Sequence, residues 1–142
     1  MLDNIKPQIW GEHLWATGYL IAYSYPNNPT HDDKNIMLNF FNQFKYIIPC
    51  EKCRVNFSKH ILKFPLDDLA LTNKYSLINW FMNINNEVNI MLGKNILTMN
   101  DIYNKYYQSP TNYNKKIITS VLVFILIIIL IGYMIFKRKC NQ

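Results

Sequence analysis

The chain has 142 residues, with 15 Lys and Arg against 9 Asp and Glu, which gives a formal net charge of +6. This length leaves room for one small domain and excludes a multi-domain enzyme. Half of the residues are apolar and 15% are aromatic, with only four glycines and six prolines, so a collagenous or low-complexity chain is excluded and a packed core is expected.

Four helices are predicted before residue 108, over 10–25, 31–48, 76–92 and 99–107. Apolar residues recur at steps of three and four, which is typical of an amphipathic helix with one buried face. In the second helix this face comprises Ile36, Met37, Phe40, Phe41, Phe44, Ile47 and Ile48, and in the third Leu77, Trp80, Phe81, Ile84, Val88 and Met91. No convincing alternating stretch indicates a strand, so the fold class is predicted to be all-α, a small helix bundle.

The predicted helix ends carry the expected local signals. Thr30 with Asp33, and Thr98 with Asp101, have the spacing of a capping box, with Asp in place of the usual Glu. Gly93 follows the third predicted helix at the position where a C′ glycine ends a helix.

Cys50 and Cys53 form a PCEKC segment directly after the second predicted helix, so a further helix is expected to begin at the pair. Two residues between cysteines bring their sulfur atoms within bonding reach in the first helical turn. Unpaired N–H groups and the helix dipole favour the thiolate there, which makes the pair redox-competent. A structural zinc site would need a further Cys/His pair at similar spacing, and none is present, so no metal site is predicted. The other alternative to a redox dithiol is a pair of core cysteines that are adjacent by chance. His31 and His60 have no partner pattern and are expected at the surface.

Residues 117–136 form a stretch of 20 residues without a charge, and a helix of that length spans roughly 30 Å of bilayer hydrocarbon. We predict a single-pass membrane helix there, preceded by a tether at 108–116 and followed by a basic tail at 137–142. Its orientation stays open, and the first ten residues lack the apolar core of a secretory signal. Cys140 lies beyond this helix, so the membrane separates it from Cys50; palmitoylation and an idle thiol are its alternatives.

The high net charge comes partly from the flanks of this helix. Without the three basic residues of the tail, 12 Lys and Arg stand against 9 Asp and Glu, a net charge of +3. These charges are scattered and form no basic stripe, so a nucleic-acid partner is not expected.

Three segments, in order, resemble the Erv/ALR family of FAD-dependent sulfhydryl oxidases and cover nearly all of residues 10–107. They are WGEHLW at 10–15 continuing to Ala22 and YP at 25–26, PCEKCR at 49–54, and the stretch from Trp80 through NEVN at 86–89 to LGK at 92–94. The resemblance implies a four-helix bundle plus a short fifth helix, usually a homodimer, that holds FAD against the dithiol. It also implies that Cys50 is the exposed interchange thiol, that Cys53 lies next to the flavin, and that oxygen reoxidises the flavin to hydrogen peroxide.

The cofactor-binding residues implied by the resemblance are Gly11, His13, Trp15, Tyr19, Asn85, Asn86, Val88, Asn89, Lys94 and Tyr106. Tyr19 and Asn85 stand where the family has His, and each can still form hydrogen bonds. The family's second, structural disulfide is missing, because Leu62 and Met99 occupy the aligned positions. We expect an apolar contact to replace it.

Together these features predict a membrane-anchored, FAD-linked thiol oxidase that forms disulfide bonds in dithiol-containing protein substrates. A compact enzyme of this composition with a single dithiol resembles those of large DNA viruses, which would place it in a virion membrane or in host cytoplasmic membranes. Two alternatives stay open: a flavin-free thiol–disulfide carrier, and a non-catalytic membrane-tethered helical interaction module.

Overall fold

The computed structural model describes residues 5–108 and 110–140; within the last helix it describes the side chains of residues 115, 117–135 and 137. The chain divides into two compact units, Met1–Tyr107 and Gln108–Gln142. Most side chains of the predicted tether, 108–116, and of the predicted tail, 137–142, lie outside the described residues, and so does the side chain of Cys140.

The first unit is a bundle of four long helices with a short fifth. The helices are α1 (Pro7–Ser24), α2 (His31–Ile47), α3 (Glu51–Lys63), α4 (Lys74–Met91) and α5 (Met99–Ile102), and α5 continues as a π-helical segment, Tyr103–Tyr107. Helix α1 packs mainly along α4, and α3 packs against both α2 and α4. No strand occurs within residues 5–108, and the predicted all-α fold class is confirmed.

Side-chain caps fix where these helices begin and end. The Thr30 hydroxyl accepts a hydrogen bond from the Asp33 amide at 3.2 Å, and the Asp33 carboxylate accepts one from the Thr30 amide at 2.8 Å. Thr98 and Asp101 form the same reciprocal pair at the start of α5, so both predicted capping boxes are confirmed. Gly93 adopts a φ of 64° directly after α4, a left-handed conformation that glycine tolerates without strain.

Aromatic rings dominate the core of the bundle. The fully or nearly fully buried ones are Tyr19, Tyr25, Phe41, Phe44, Phe57, Trp80 and Phe81. Gly18 lets α1 approach α4 closely, because a Cβ atom added there would overlap the ring of Phe81. The predicted apolar faces were too wide: Ile36, Ile47 and Met91 are more than half exposed, since they lie at the edges of their stripes.

Two further expectations are corrected on α3. His60 is buried, at 7% exposure, because it shares the core-facing side of the helix with Phe57. Its Nε2 has no hydrogen-bond partner among the residues that the structure describes. Leu62 is 83% exposed, so it does not form the expected apolar replacement for a second disulfide, whereas Met99 packs against the core. Loss of that disulfide is therefore not compensated at Leu62.

The second unit contains helix α6 (Pro110–Cys140). Its segment Ile117–Ile135 is long and apolar enough to cross a membrane, and none of it is buried. This segment agrees with the predicted range 117–136 to within one residue.

Candidate redox site

The two cysteines of the PCEKC segment lie where α3 begins. Cys50 has an extended backbone and is the N-cap residue of α3, and its sulfur accepts a hydrogen bond from the Cys53 amide at 3.2 Å. Because one helical turn brings the third residue back beneath the cap, the Cα atoms are 5.1 Å apart and the sulfurs form a disulfide. The predicted start of a helix at the pair is confirmed.

The two sulfur-bearing residues face different surroundings. Cys53 packs against the hydrophobic core, whereas Cys50 borders an open depression on the surface. An external thiol can therefore approach Cys50, while Cys53 lies on the side of the bundle interior.

Positive charge is concentrated at this end of α3. The Arg54 guanidinium is held in place because its Nη1 donates a hydrogen bond to the Ile48 carbonyl at 2.7 Å. The N-terminus of α3 adds the positive end of the helix dipole. After reduction of the disulfide, this arrangement stabilises a thiolate at the pair.

Four of the aromatic and amide residues implied as cofactor contacts cluster between α1, α4 and the π-helical segment. Tyr19 is fully buried, donates a hydrogen bond to Asn85 Oδ1 at 3.1 Å, and stacks on Tyr106 with ring centroids 4.9 Å apart. Burial raises the pKa of Tyr19 well above its usual value, so the hydroxyl stays a donor. Trp15, half-buried one turn earlier, packs on Phe81 at 5.1 Å.

The asparagines at the end of α4 organise the turn that follows it. Asn86 accepts a hydrogen bond from the Leu97 amide at 2.7 Å and donates one to the Leu97 carbonyl at 2.9 Å. Asn89 is 9% exposed, and its carbonyl accepts from the Lys94 amide at 2.8 Å. The NEVN and LGK segments therefore hold this turn in place. The Asn86 side-chain amide is already hydrogen-bonded to Leu97 within the turn.

A patch of charge lies at the surface near the same turn. Lys105 and Glu12 form an ion pair at 3.1 Å. The hydrogen bond and charge of Lys105, with smaller effects of His13 and Lys94, hold the pKa of Glu12 below its usual value. His13, Lys94 and Lys105 therefore share one electrostatic neighbourhood around a single carboxylate. Sequence reasoning missed Lys105, whose one signal is its place directly before Tyr106.

Two further residues implied as cofactor contacts, Gly11 and Val88, lie on α1 and α4. Gly11 lies on α1 about 12 Å of helix axis before Tyr19, with open space beside its Cα. Val88 is half-buried, one turn after Asn85 on α4. Within the described residues, no group of three or more His, Cys, Asp or Glu side chains could hold a metal ion.

The donor set fits a flavin dinucleotide. Trp15 and Tyr106 are partly buried aromatic side chains, the kind on which a planar ring stacks. Asn85 and Asn89 are buried amides, and the basic side chains near Glu12, which are His13, Lys94 and Lys105, are suited to a pyrophosphate. Tyr19 and Asn85 satisfy each other with a buried hydrogen bond.

Comparison with known proteins gives a consistent result. The model of the Erv1 / Alr family matches residues 12–108. A probable FAD-linked sulfhydryl oxidase of Acanthamoeba polyphaga mimivirus is 35% identical over 143 residues, covering 97% of this chain and 100% of that protein. An FAD-linked sulfhydryl oxidase of African swine fever virus is 29% identical, covering 72% and 84%. The crystal structure of the FAD binding domain of Erv1 from Saccharomyces cerevisiae superposes with a TM-score of 0.64 at 27% identity, covering 72% and 94%.

Proposed function

We infer the mechanism from one premise: this chain belongs to the Erv1 / Alr family, whose model matches more than half of its length. The chain is an FAD-dependent thiol oxidase that acts on dithiol substrates. The observation that carries the chemical assignment is the disulfide at the start of α3, with Cys50 at an open surface and Cys53 against the core. Cys50 and Cys53 are proposed as the catalytic pair.

The exchange begins at the accessible sulfur. A substrate thiolate attacks Cys50 Sγ, the Cys50–Cys53 bond breaks, and Cys53 leaves as a thiolate that the helix N-terminus and Arg54 stabilise. The second substrate thiolate then attacks the substrate sulfur of the mixed disulfide and displaces the Cys50 thiolate. The substrate leaves as a disulfide, and two electrons remain on the reduced pair.

Bound FAD supplies the two-electron acceptor for that pair and couples it to a terminal acceptor, which we propose is molecular oxygen, giving hydrogen peroxide. The chain's own residues would hold the cofactor. Trp15 and Tyr106 would contact the ring systems, Asn85 and Asn89 would offer hydrogen bonds, and Lys94 with His13 would face the pyrophosphate. Gly11, Tyr19, Asn86 and Val88 complete the proposed set.

A single-pass anchor is proposed for Ile117–Ile135, because its uncharged length matches the bilayer. In this arrangement residues 1–107 are the oxidase domain, 108–116 the tether, 117–136 the membrane helix and 137–142 the basic tail, in a virion or host cytoplasmic membrane. The active form is proposed to be a homodimer. Alkaline extraction of membranes tests the anchor, since a spanning helix stays with the lipid, and light scattering of the detergent-solubilised chain tests the dimer.

The direct test of the electron path is Cys53→Ser in the full chain, purified in detergent with FAD. We expect this variant to retain bound flavin but to lose oxygen consumption with dithiothreitol, because Cys50 alone can form only a mixed disulfide. The matched control is Cys140→Ser, which removes the third cysteine and should keep turnover. Full oxygen consumption by Cys53→Ser would refute the proposed path.

A further inference from the structure

The open depression beside Cys50 has a volume of about 640 Å³. Its lining comprises Ile5, Lys6, Pro7, Cys50, Glu51, Lys52 and Val55. Apolar side chains line most of the depression, and two of them, Ile5 and Val55, are 44% and 51% exposed. Exposed apolar side chains thus line the depression that Cys50 borders.

One wall of this depression is the segment before α1, and it is fixed on both sides. The Ile5 amide donates a hydrogen bond to the Pro49 carbonyl at 3.0 Å, directly before Cys50. The Ile5 carbonyl accepts one from the Trp10 indole Nε1 at 2.9 Å. Pro7 then starts α1 with its φ already suited to a helix. The wall is therefore tied to the loop that carries the reactive sulfur.

The charged residues that line the depression have a net positive charge. Lys6 and Lys52 stand against Glu51, and the N-terminus of α3 adds positive potential at the same place. An acidic group that enters the depression would therefore be attracted, and a basic one would be repelled.

We propose that this depression is the docking surface for the protein substrate, and that it selects an extended segment whose reacting cysteine has an apolar neighbour and an acidic neighbour. The apolar neighbour packs against Ile5, Pro7 and Val55, and the acidic one lies between Lys6 and Lys52. This proposal rests on the function proposed above. It assigns substrate selection to residues outside the Cys50–Cys53 pair and the flavin contacts.

The test isolates docking from flavin and oxygen. In the full chain carrying Cys53→Ser and Cys140→Ser, Cys50 is the single thiol. The probe is a short peptide whose one cysteine is activated as a 2-thiopyridyl disulfide, with leucine before and glutamate after it. The Cys50 thiolate attacks the peptide sulfur, a Cys50–peptide disulfide forms, and 2-thiopyridone leaves with the electron pair, which its absorbance records. A peptide with serine at both neighbouring positions and 2,2′-dithiodipyridine are the references.

We expect the leucine–glutamate peptide to react about fivefold faster than the serine peptide, as burial of part of one apolar side chain implies. The rate with 2,2′-dithiodipyridine corrects each variant for a change in the intrinsic reactivity of its Cys50 thiolate. Val55→Ser should remove the apolar part of this preference, and Lys52→Glu the acidic part. The matched controls are Leu62→Ser and Lys59→Glu, which change an exposed leucine and an exposed lysine on the same helix. Neither residue lines the depression, and neither change should alter the preference.

Equal rates for the two peptides, or a preference that Val55→Ser and Lys52→Glu leave unchanged, would overturn the docking surface. A third outcome is that the two peptides react at the same rate and that Val55→Ser changes the oligomeric state. The surface is then an interface between two copies of the chain, and the proposal is wrong. A different failure marks the proposed function: a flavin-loaded chain that oxidises no dithiol, while the peptide preference persists, refutes the oxidase and leaves the docking surface standing.

Discussion

The hydrogen bond between Tyr19 and Asn85 joins two buried residues that are 66 positions apart, and removing one partner has a calculable cost. Tyr19→Phe keeps the ring that stacks on Tyr106 but leaves the Asn85 carbonyl oxygen without its donor at a residue only 4% exposed. An unsatisfied buried acceptor costs about 1–3 kcal/mol. In a domain of this size each kcal/mol lowers the midpoint of thermal unfolding by about 4–8 °C.

The assay is thermal unfolding of the full chain in detergent, followed by near-UV circular dichroism without added FAD, so that loss of cofactor does not contribute. The matched control is Tyr23→Phe, the same chemical change at a half-buried side chain of α1, with an expected effect within about 0.5 kcal/mol. In Tyr19→Phe combined with Asn85→Leu both polar groups are absent, so the double variant should be destabilised by less than the sum of the two single variants. An unchanged midpoint for Tyr19→Phe, or strict additivity in the double variant, would show that this hydrogen bond does not stabilise the core.

Three other predictions follow from packing, hydrogen bonding and burial. Gly18→Ala should destabilise the bundle by about 1–3 kcal/mol through overpacking against Phe81. Gly11→Ala on the same helix, where an added Cβ meets no described atom within 4 Å, should stabilise it by up to about 1 kcal/mol. A stabilising Gly18→Ala or a destabilising Gly11→Ala in denaturant unfolding would contradict the packing described. Asn86→Ala should lose both hydrogen bonds to Leu97 and speed amide hydrogen exchange in the turn after α4. Unchanged exchange there would show that the Asn86 side chain does not hold this turn in place. Burial lowers the pKa of His60 below its usual 6.5, so on acidification the unfolded chain binds a proton that the folded chain does not. The free energy of unfolding should therefore fall as the pH drops below about 6.5, and His60→Leu should flatten this dependence. A wild-type profile that is already flat would show that the His60 ring is not held neutral.

Local sequence patterns predicted much of the fold. Both capping boxes, the glycine after α4 and the helix start at Cys50 depend on residues within four positions of one another, which is why pattern reasoning found them. Boundaries were less accurate: α4 begins at Lys74 rather than at residue 76, because Asn73 caps it by accepting a hydrogen bond from the Ser76 amide at 3.0 Å. Asn73 precedes the apolar pattern, so periodicity alone did not include it.

The features that the sequence did not reveal all depend on contacts between distant segments. The burial of His60 follows from the face of α3 that meets the core, and residue type alone suggests the opposite. The pairing of Tyr19 with Asn85 joins two helices, and the wall at Ile5 depends on a backbone hydrogen bond to Pro49, 44 positions away. No spacing rule encodes such contacts, since they exist only once the bundle has assembled.

In the proposed mechanism, a reduced Cys50–Cys53 pair passes its electrons to bound FAD. Anaerobic titration of the purified, flavin-loaded chain with a dithiol tests it most directly, because bleaching of the flavin absorbance reports electron arrival without oxygen. We expect bleaching in the wild-type chain and in Cys140→Ser, but none in Cys53→Ser. A chain that binds no flavin, or one in which Cys53→Ser bleaches as fully as the wild type, would contradict it.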